Sequence, residues 1–115
     1  MPVTAVYPGT FDPFTNGHGD LLRRACRLFP RLILAVARNP QKAPLFSVEE
    51  RLAIVREATA DLPDLEIDTF DMLTVDYVRS KGAQVVVRGI RAVSDFEFEF
   101  AMALMNRKIS EEVET

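Results

Sequence analysis

Residues Leu32-Ile33-Leu34-Ala35-Val36-Ala37 form an unbroken apolar run between two segments of helical periodicity. A strand with one face in water alternates apolar and polar residues. A run that is apolar at every position must be covered on both faces, as in a parallel sheet packed between helices. The rest of the chain fits that constraint. Ala5-Val6-Tyr7 reads as a first strand stopped by Pro8-Gly9. From Asn16 or Gly17 to about Phe29 a helix is expected, with Leu21, Leu22, Ala25, Cys26, Leu28 and Phe29 as its apolar stripe and Pro30 as its end. Ser47-Val48-Glu49-Glu50 has the spacing of a capping box, in which hydroxyl and carboxylate satisfy each other's free backbone donors. It opens a helix to about Ala60 that should bury Leu52, Ile54, Val55 and Ala58.

Leu65 to Thr69 is a third strand, Leu73 to Lys81 a short helix capped by Gly82, and Ala83 to Val87 a fourth strand ended by Arg88-Gly89. Phe96-Glu97-Phe98-Glu99-Phe100 alternates like a strand. Yet Ser94-Asp95-Phe96-Glu97 has capping-box spacing, and Ala101 to Lys108 is rich in helix formers, so a helix is expected. The order βαβαβαβα with right-handed crossovers gives an α/β fold: one Rossmann-like, doubly wound parallel sheet spanning residues 1–115 as a single domain.

Charge and composition narrow the partners. Fourteen Lys and Arg against seventeen Asp and Glu leave the 115-residue chain at −3, which argues against an extended nucleic-acid surface but not against a local basic pocket. The single cysteine, Cys26, lies on an apolar stripe, reads as core packing and suits a reducing compartment. The amino terminus has no basic stretch followed by an apolar one, and the longest apolar run is far too short to span a bilayer. A cytoplasmic domain without a membrane partner is expected.

Ligands of an open α/β sheet bind beyond the carboxyl ends of its strands. The first strand is followed there by Gly9-Thr10-Phe11-Asp12-Pro13-Phe14-Thr15-Asn16-Gly17-His18, the second by Arg38-Asn39-Pro40-Gln41-Lys42, and the fourth by Arg88-Gly89-Ile90-Arg91. Arg38, Lys42, Arg88 and Arg91 thus leave the sheet at one edge, beside the amino end of the first helix, where free N–H groups favour an anion. The loop has neither the Lys-Ser/Thr of a P-loop nor the closely spaced glycines of a dinucleotide fold. Its content is a hydroxyl, Thr10, and the chain's one imidazole, His18, between two glycines. Asp12 is expected to brace the loop rather than bind metal. Arg23, Arg24 and Arg27 are expected on a solvated helix face, and Arg38 serves equally as phosphate ligand or strand-end charge. Glu99 alone would be a surface carboxylate. The Phe and Met set from Phe96 to Met105 reads as core or subunit interface.

The loop Gly9 to His18 resembles the amino-terminal His-x-Gly-His signature of the nucleotidylyltransferase superfamily, with Thr15 at the first histidine. The Thr-x-Gly-His version behind Tyr7-Pro8-Gly9-Thr10-Phe11-Asp12-Pro13 is similar to the phosphopantetheine adenylyltransferase family. Lys42 before Pro44-Leu45-Phe46-Ser47-Val48-Glu49-Glu50-Arg51, then Arg88-Gly89-Ile90-Arg91-Ala92-Val93-Ser94-Asp95-Phe96-Glu97, then Ala101 to Lys108, agree in order with that family. The resemblance implies a nucleotidylyltransferase-type fold and AMP transfer from ATP to 4′-phosphopantetheine, giving dephospho-coenzyme A and pyrophosphate. It also implies Mg²⁺ carried with ATP rather than in a protein cage, and a homo-oligomer, in the family a hexamer.

Carried over residue by residue, Thr10 and His18 match positions holding the nucleophile and the ATP α-phosphate. Lys42 and Arg88 match the cations for the acceptor phosphate, and Thr74 a pantetheine contact. Phe11, Gly89, Ile90, Arg91 and Glu99 match positions around ATP. Gly19 stands where the family has a larger apolar residue. The resemblance also implies a further strand and a Ser-rich helix start after Thr115, which makes a binding-only truncated domain one alternative. Another superfamily member acting on nicotinamide mononucleotide, or on an alcohol phosphate with CTP, is the other; Thr15 and Arg88-Gly89-Ile90-Arg91 disfavour it.

Overall fold

The computed structural model describes residues 3–38, 44–90 and 93–115, with the main chain alone at residues 93–95, 97 and 98. Its elements alternate as expected: β1 (Thr4–Gly9), α1 (Asn16–Leu28), β2 (Arg31–Ala37), α2 (Val48–Ala58), β3 (Glu66–Phe70), α3 (Thr74–Ser80), β4 (Val85–Val86) and α4 (Val93–Ile109). The strands form one parallel sheet in the order β3-β2-β1-β4. The chain winds outward through β2 to β3 and then crosses to the other side of β1. The switch point therefore lies between the carboxyl ends of β1 and β4.

The apolar run of β2 divides between the two faces of the sheet. Ile33 and Ala35 pack with Val6 of β1, with Val75, Tyr77 and Val78 of α3, and with Val113. Leu32, Leu34 and Val36 pack on the other face with Ala5 and Tyr7, against Leu22 and Ala25 of α1 and Val55 of α2. Each alternate residue has its own helix layer, so the strand can afford no polar position.

Several expectations need correction. β1 does not stop at Pro8-Gly9; both belong to the strand and pair with Ala35 and Val36 of β2. A proline lacks the donor a central strand needs, but here the neighbouring strand has already ended. β4 spans two residues rather than Ala83 to Val87. Past it Val87 N–H donates to Val6 O at 2.8 Å, and Pro8, the next residue of β1 facing that side, has no N–H to continue the ladder. The outer edge of β4 is covered by the residues after α4. Val86 N–H donates to Glu114 O at 2.7 Å and Glu114 N–H to Gln84 O at 2.9 Å.

In α2 the inward face is Arg51, Val55 and Thr59, at i, i+4 and i+8, while Leu52 and Ile54 are half-buried and Ala58 is exposed. The apolar reading failed because an arginine occupies an interior position. Ser47 and Glu50 close their capping box as expected. α3 ends as expected at Gly82, whose φ of +65° suits a residue without Cβ.

α4 is helical, beginning one residue before the expected cap Ser94; the side chains of that capping box lie outside the described residues. Phe96, Phe100, Leu104 and Met105 are all more than half exposed, so they are not core of this chain. Arg24 sits in solvent beside Asp20. Arg23 does not: its guanidinium donates to Gly19 O, to Ala58 O at the end of α2, and to Asp61. Gly19 leaves room for this, since a Cβ there would lie 3.0 Å from Arg23 Nη1.

Candidate active site

The loop between β1 and α1 is built around a buried ring. Phe11 has a φ of +50°, the left-handed region that costs a side-chain-bearing residue roughly 1–2 kcal/mol. That cost is offset by packing: the ring is 4% exposed and meets Tyr7 edge-on with centroids 5.2 Å apart. It lies so close to the strand that a Cβ on Gly9 would be 3.0 Å from it, so any larger residue there would have to push the buried ring aside. With its ring in the core, Phe11 can present only its main chain to a ligand. A cis peptide joins Asp12 to Pro13. The Asp12 carboxylate accepts from Leu45 N–H at 2.6 Å and Phe46 N–H at 2.9 Å, the bracing role expected of it.

Thr15 caps α1, and its partner in the capping box is His18. His18 N–H donates to Thr15 Oγ1 at 3.3 Å, while Thr15 N–H donates to His18 Nδ1 at 2.9 Å. Accepting that bond keeps Nδ1 unprotonated, so the neutral ring carries its proton on Nε2. The imidazole also rests against Phe11 edge-on at 5.1 Å and against Phe14 at 5.6 Å. One main-chain donor, the Thr15 hydroxyl 3.1 Å from Nδ1 and two rings thus help to set its direction.

Across the switch point stands Arg88. Nε and Nη2 make a two-pronged pair with the Glu99 carboxylate, at 3.0 and 2.7 Å, and Nη1 donates to Pro8 O at 2.8 Å. Glu99 is therefore not a surface carboxylate; its side chain is 11% exposed and that of Arg88 28%. Burial raises the Tyr7 hydroxyl above its ordinary range, and the nearby Arg88 charge partly offsets this. Gly89 admits α1 closely, since a Cβ there would touch Leu21 Cδ2 at 3.0 Å. Ile90 is exposed. Arg38 is turned to β3, where Nη1 donates to Thr69 Oγ1 at 3.2 Å. Thr74 is the half-buried first residue of α3, four residues past β3, the strand two places from β1 in the sheet. Lys42 and Arg91 lie outside the described residues, as do 39–41.

Thr10, His18, Arg88 and Glu99 therefore gather at the β1/β4 switch point, and Thr74 stands along the same edge. Arg51 was missed by sequence reasoning. It is 1% exposed and hydrogen-bonds to the carbonyls of Thr10, Ala37 and Phe46. The signal that could have found it is its position four residues before Val55, on the stripe that faces the sheet. Among the described residues no group of three or more His, Cys, Asp or Glu side chains could hold a metal ion. None of the described helices is long and apolar enough to cross a membrane.

Residues 6–115 match the model of the cytidylyltransferase-like family. A phosphopantetheine adenylyltransferase of Alkalilimnicola ehrlichii is 60% identical over 117 residues, covering all of this chain and 67% of the relative. One from Carboxydothermus hydrogenoformans is 59% identical over 96% of this chain and 68% of its own length. One from Methylococcus capsulatus is 59% identical over the whole of this chain and 71% of its own. Among solved structures, a bifunctional NMN adenylyltransferase/ADP ribose pyrophosphatase from Francisella tularensis superposes with a TM-score of 0.69 at 19% identity, covering 94% of this chain and 36% of that one. A lipopolysaccharide core biosynthesis protein from Thermoplasma volcanium gives 0.65 at 19% identity, covering 95% and 89%. At that identity the two structures speak to the fold alone.

Proposed function

The chain belongs to the cytidylyltransferase-like family and, within it, to the phosphopantetheine adenylyltransferases, and on that premise we propose that it transfers AMP from ATP to 4′-phosphopantetheine, giving dephospho-coenzyme A and pyrophosphate. An oxygen of the acceptor phosphate attacks the α-phosphorus of ATP. The bond from that phosphorus to the oxygen bridging to the β-phosphate breaks, and pyrophosphate leaves with the electron pair. The acceptor oxygen is already ionised, so no general base is needed. What the protein must supply is in-line placement of two anions and stabilisation of charge on the α-phosphate.

The observation that carries this reading is the 2.9 Å bond from Thr15 N–H to His18 Nδ1 beside the switch point. With Nδ1 taken by Thr15 N–H, the neutral ring carries its proton on Nε2, where it can serve as a donor to phosphate oxygens. In this reading Thr10 and His18 hold the reacting phosphates, and Arg88 and Lys42 offset the repulsion between the two anions. Phe11 (through its main chain), Gly89, Ile90, Arg91 and Glu99 border ATP, and Thr74 meets the pantetheine arm. Magnesium would be carried by the triphosphate of ATP, as is usual for that ion, and would neutralise phosphate charge there. A cytoplasmic location and a homo-oligomer, hexameric as the family resemblance implies, complete the reading; the exposed Phe96, Phe100 and Leu104 of α4 support burial between subunits.

The test supplies ATP or CTP with 4′-phosphopantetheine or nicotinamide mononucleotide and follows pyrophosphate release. Turnover is expected with ATP and 4′-phosphopantetheine. Turnover with nicotinamide mononucleotide alone would overturn the reading, and calorimetric binding of 4′-phosphopantetheine without turnover would point to a binding domain.

A further inference from the structure

We propose that Arg51 is a positioning residue for the phosphate loop, acting through the main chain of Thr10; this rests on the role given above to Thr10. The paired ladder of β1 and β2 ends at Gly9 and Val36. Thr10 and Ala37 are the next residues on each strand. There a single nitrogen takes over: Arg51 Nη1 donates to Thr10 O at 2.8 Å and to Ala37 O at 2.9 Å. Nε of the same guanidinium donates to Phe46 O at 3.2 Å, just ahead of α2. One planar group thus sets the spacing of three segments one residue beyond the last backbone pair.

Asp12 makes the reciprocal connection. Two residues beyond Thr10, its carboxylate holds the N–H groups of Leu45 and Phe46. The loop is therefore clasped from both sides, by a cation on its carbonyl and by its own anion on the facing amides. Burying a guanidinium to 1% exposure is costly, and an apolar side chain would fill the same corner at less expense. A lysine ammonium is a point donor and cannot reproduce the fixed fork. The arginine fits a site where the position of a carbonyl, and with it the direction of the hydroxyl on the same residue, matters more than stability. Misplacing a reacting group by about 1 Å costs on the order of a hundredfold in rate.

The experiment is a double-mutant cycle on the whole chain with Arg51→Gln and Thr10→Val, each variant first checked by circular dichroism to be folded at the assay temperature. Pyrophosphate release gives kcat and KM, and calorimetry gives 4′-phosphopantetheine affinity. Arg51→Gln is expected to lower kcat roughly tenfold or more, with a smaller change in KM for ATP. Once Thr10 is Val, the same substitution should cost less than about twofold, because its route is already cut. Additive losses, or unchanged kcat per folded molecule, would mean that Arg51 serves the fold alone and would overturn the proposal. Thr10→Val with unchanged kcat and KM would instead overturn the role of Thr10 itself, a distinct result. If Arg51→Gln does not fold, Arg51→Lys carries the same cycle: it keeps the charge without the fork, and an intermediate kcat with the same loss of effect in the Thr10→Val background is expected.

Discussion

Replacing His18 by glutamine separates two tasks that one imidazole performs. The ring closes the capping box of α1 by accepting from Thr15 N–H at 2.9 Å, and in the proposed function its Nε2–H donates to the reacting phosphates. His18→Ala gives up both. Leaving that amide without its partner at an exposed helix end costs about 0.5–1 kcal/mol, or roughly 2–4 °C in Tm for a domain of this size. Losing a donor aimed at a phosphate transition state costs about 3 kcal/mol of barrier, on the order of a hundredfold or more in rate. Glutamine at the third helical position is a standard capping-box residue, and its carbonyl can reach back to Thr15 N–H. Both variants lose the ring contacts to Phe11 and Phe14, so the difference between them isolates the cap. His18→Gln should therefore be more stable than His18→Ala by most of that 0.5–1 kcal/mol while remaining as slow. Thermal unfolding by circular dichroism and pyrophosphate release on the same preparations measure the two quantities. If glutamine recovered turnover together with stability, the imidazole would matter only as a cap, and the donor argument would fail.

Two further outcomes can be checked directly. Glu99→Gln removes the counter-charge of Arg88 from a pair whose side chains are 11% and 28% exposed, and it should lower unfolding free energy by about 2 kcal/mol, below the 3–5 kcal/mol of a fully buried pair; a urea midpoint shift equivalent to under about 0.5 kcal/mol would contradict the geometry. Burial pushes the Asp68 carboxyl up, but hydrogen bonds from Tyr77 Oη–H and Thr69 N–H, with the Lys81 ammonium beside it, outweigh this and hold it below its ordinary value. A depressed folded value means stability that is present above the ordinary carboxylate range and lost as pH falls through the depressed one, so Asp68→Asn should flatten the stability profile below about pH 4; an unchanged acid limb would refute it.

The layer pattern was legible because it depends on one-dimensional regularities. An apolar run at every position of β2 demanded helices on both faces, and Ser47 with Glu50 and Gly82 marked helix ends through interactions spanning three or four residues. The loop from Gly9 to His18 was legible for a similar reason: its hydroxyl, glycines and imidazole lie within ten consecutive residues, and strand order puts them at the ligand edge. The capping role of His18 escaped notice because histidine seldom fills the third position of a capping box.

What only the tertiary structure decided are the partners separated along the chain. Arg88 and Glu99 were assigned to different substrates, yet they meet as a pair eleven residues apart because β4 stops after two residues and α4 turns back over its end. Arg51 stood in the sequence only as the last residue of a motif, and forty-one residues separate it from the Thr10 carbonyl it holds. Arg23 likewise finds Asp61 across thirty-eight residues. Hydropathy and local spacing report whether a position prefers water or apolar surroundings. A buried cation satisfied by main-chain carbonyls has no such preference to display, since its partners are supplied by folding. By itself the sequence determined the order of elements and the edge where the chemistry sits. The contacts that hold Thr10, His18 and Arg88 in place there were decided by the sheet.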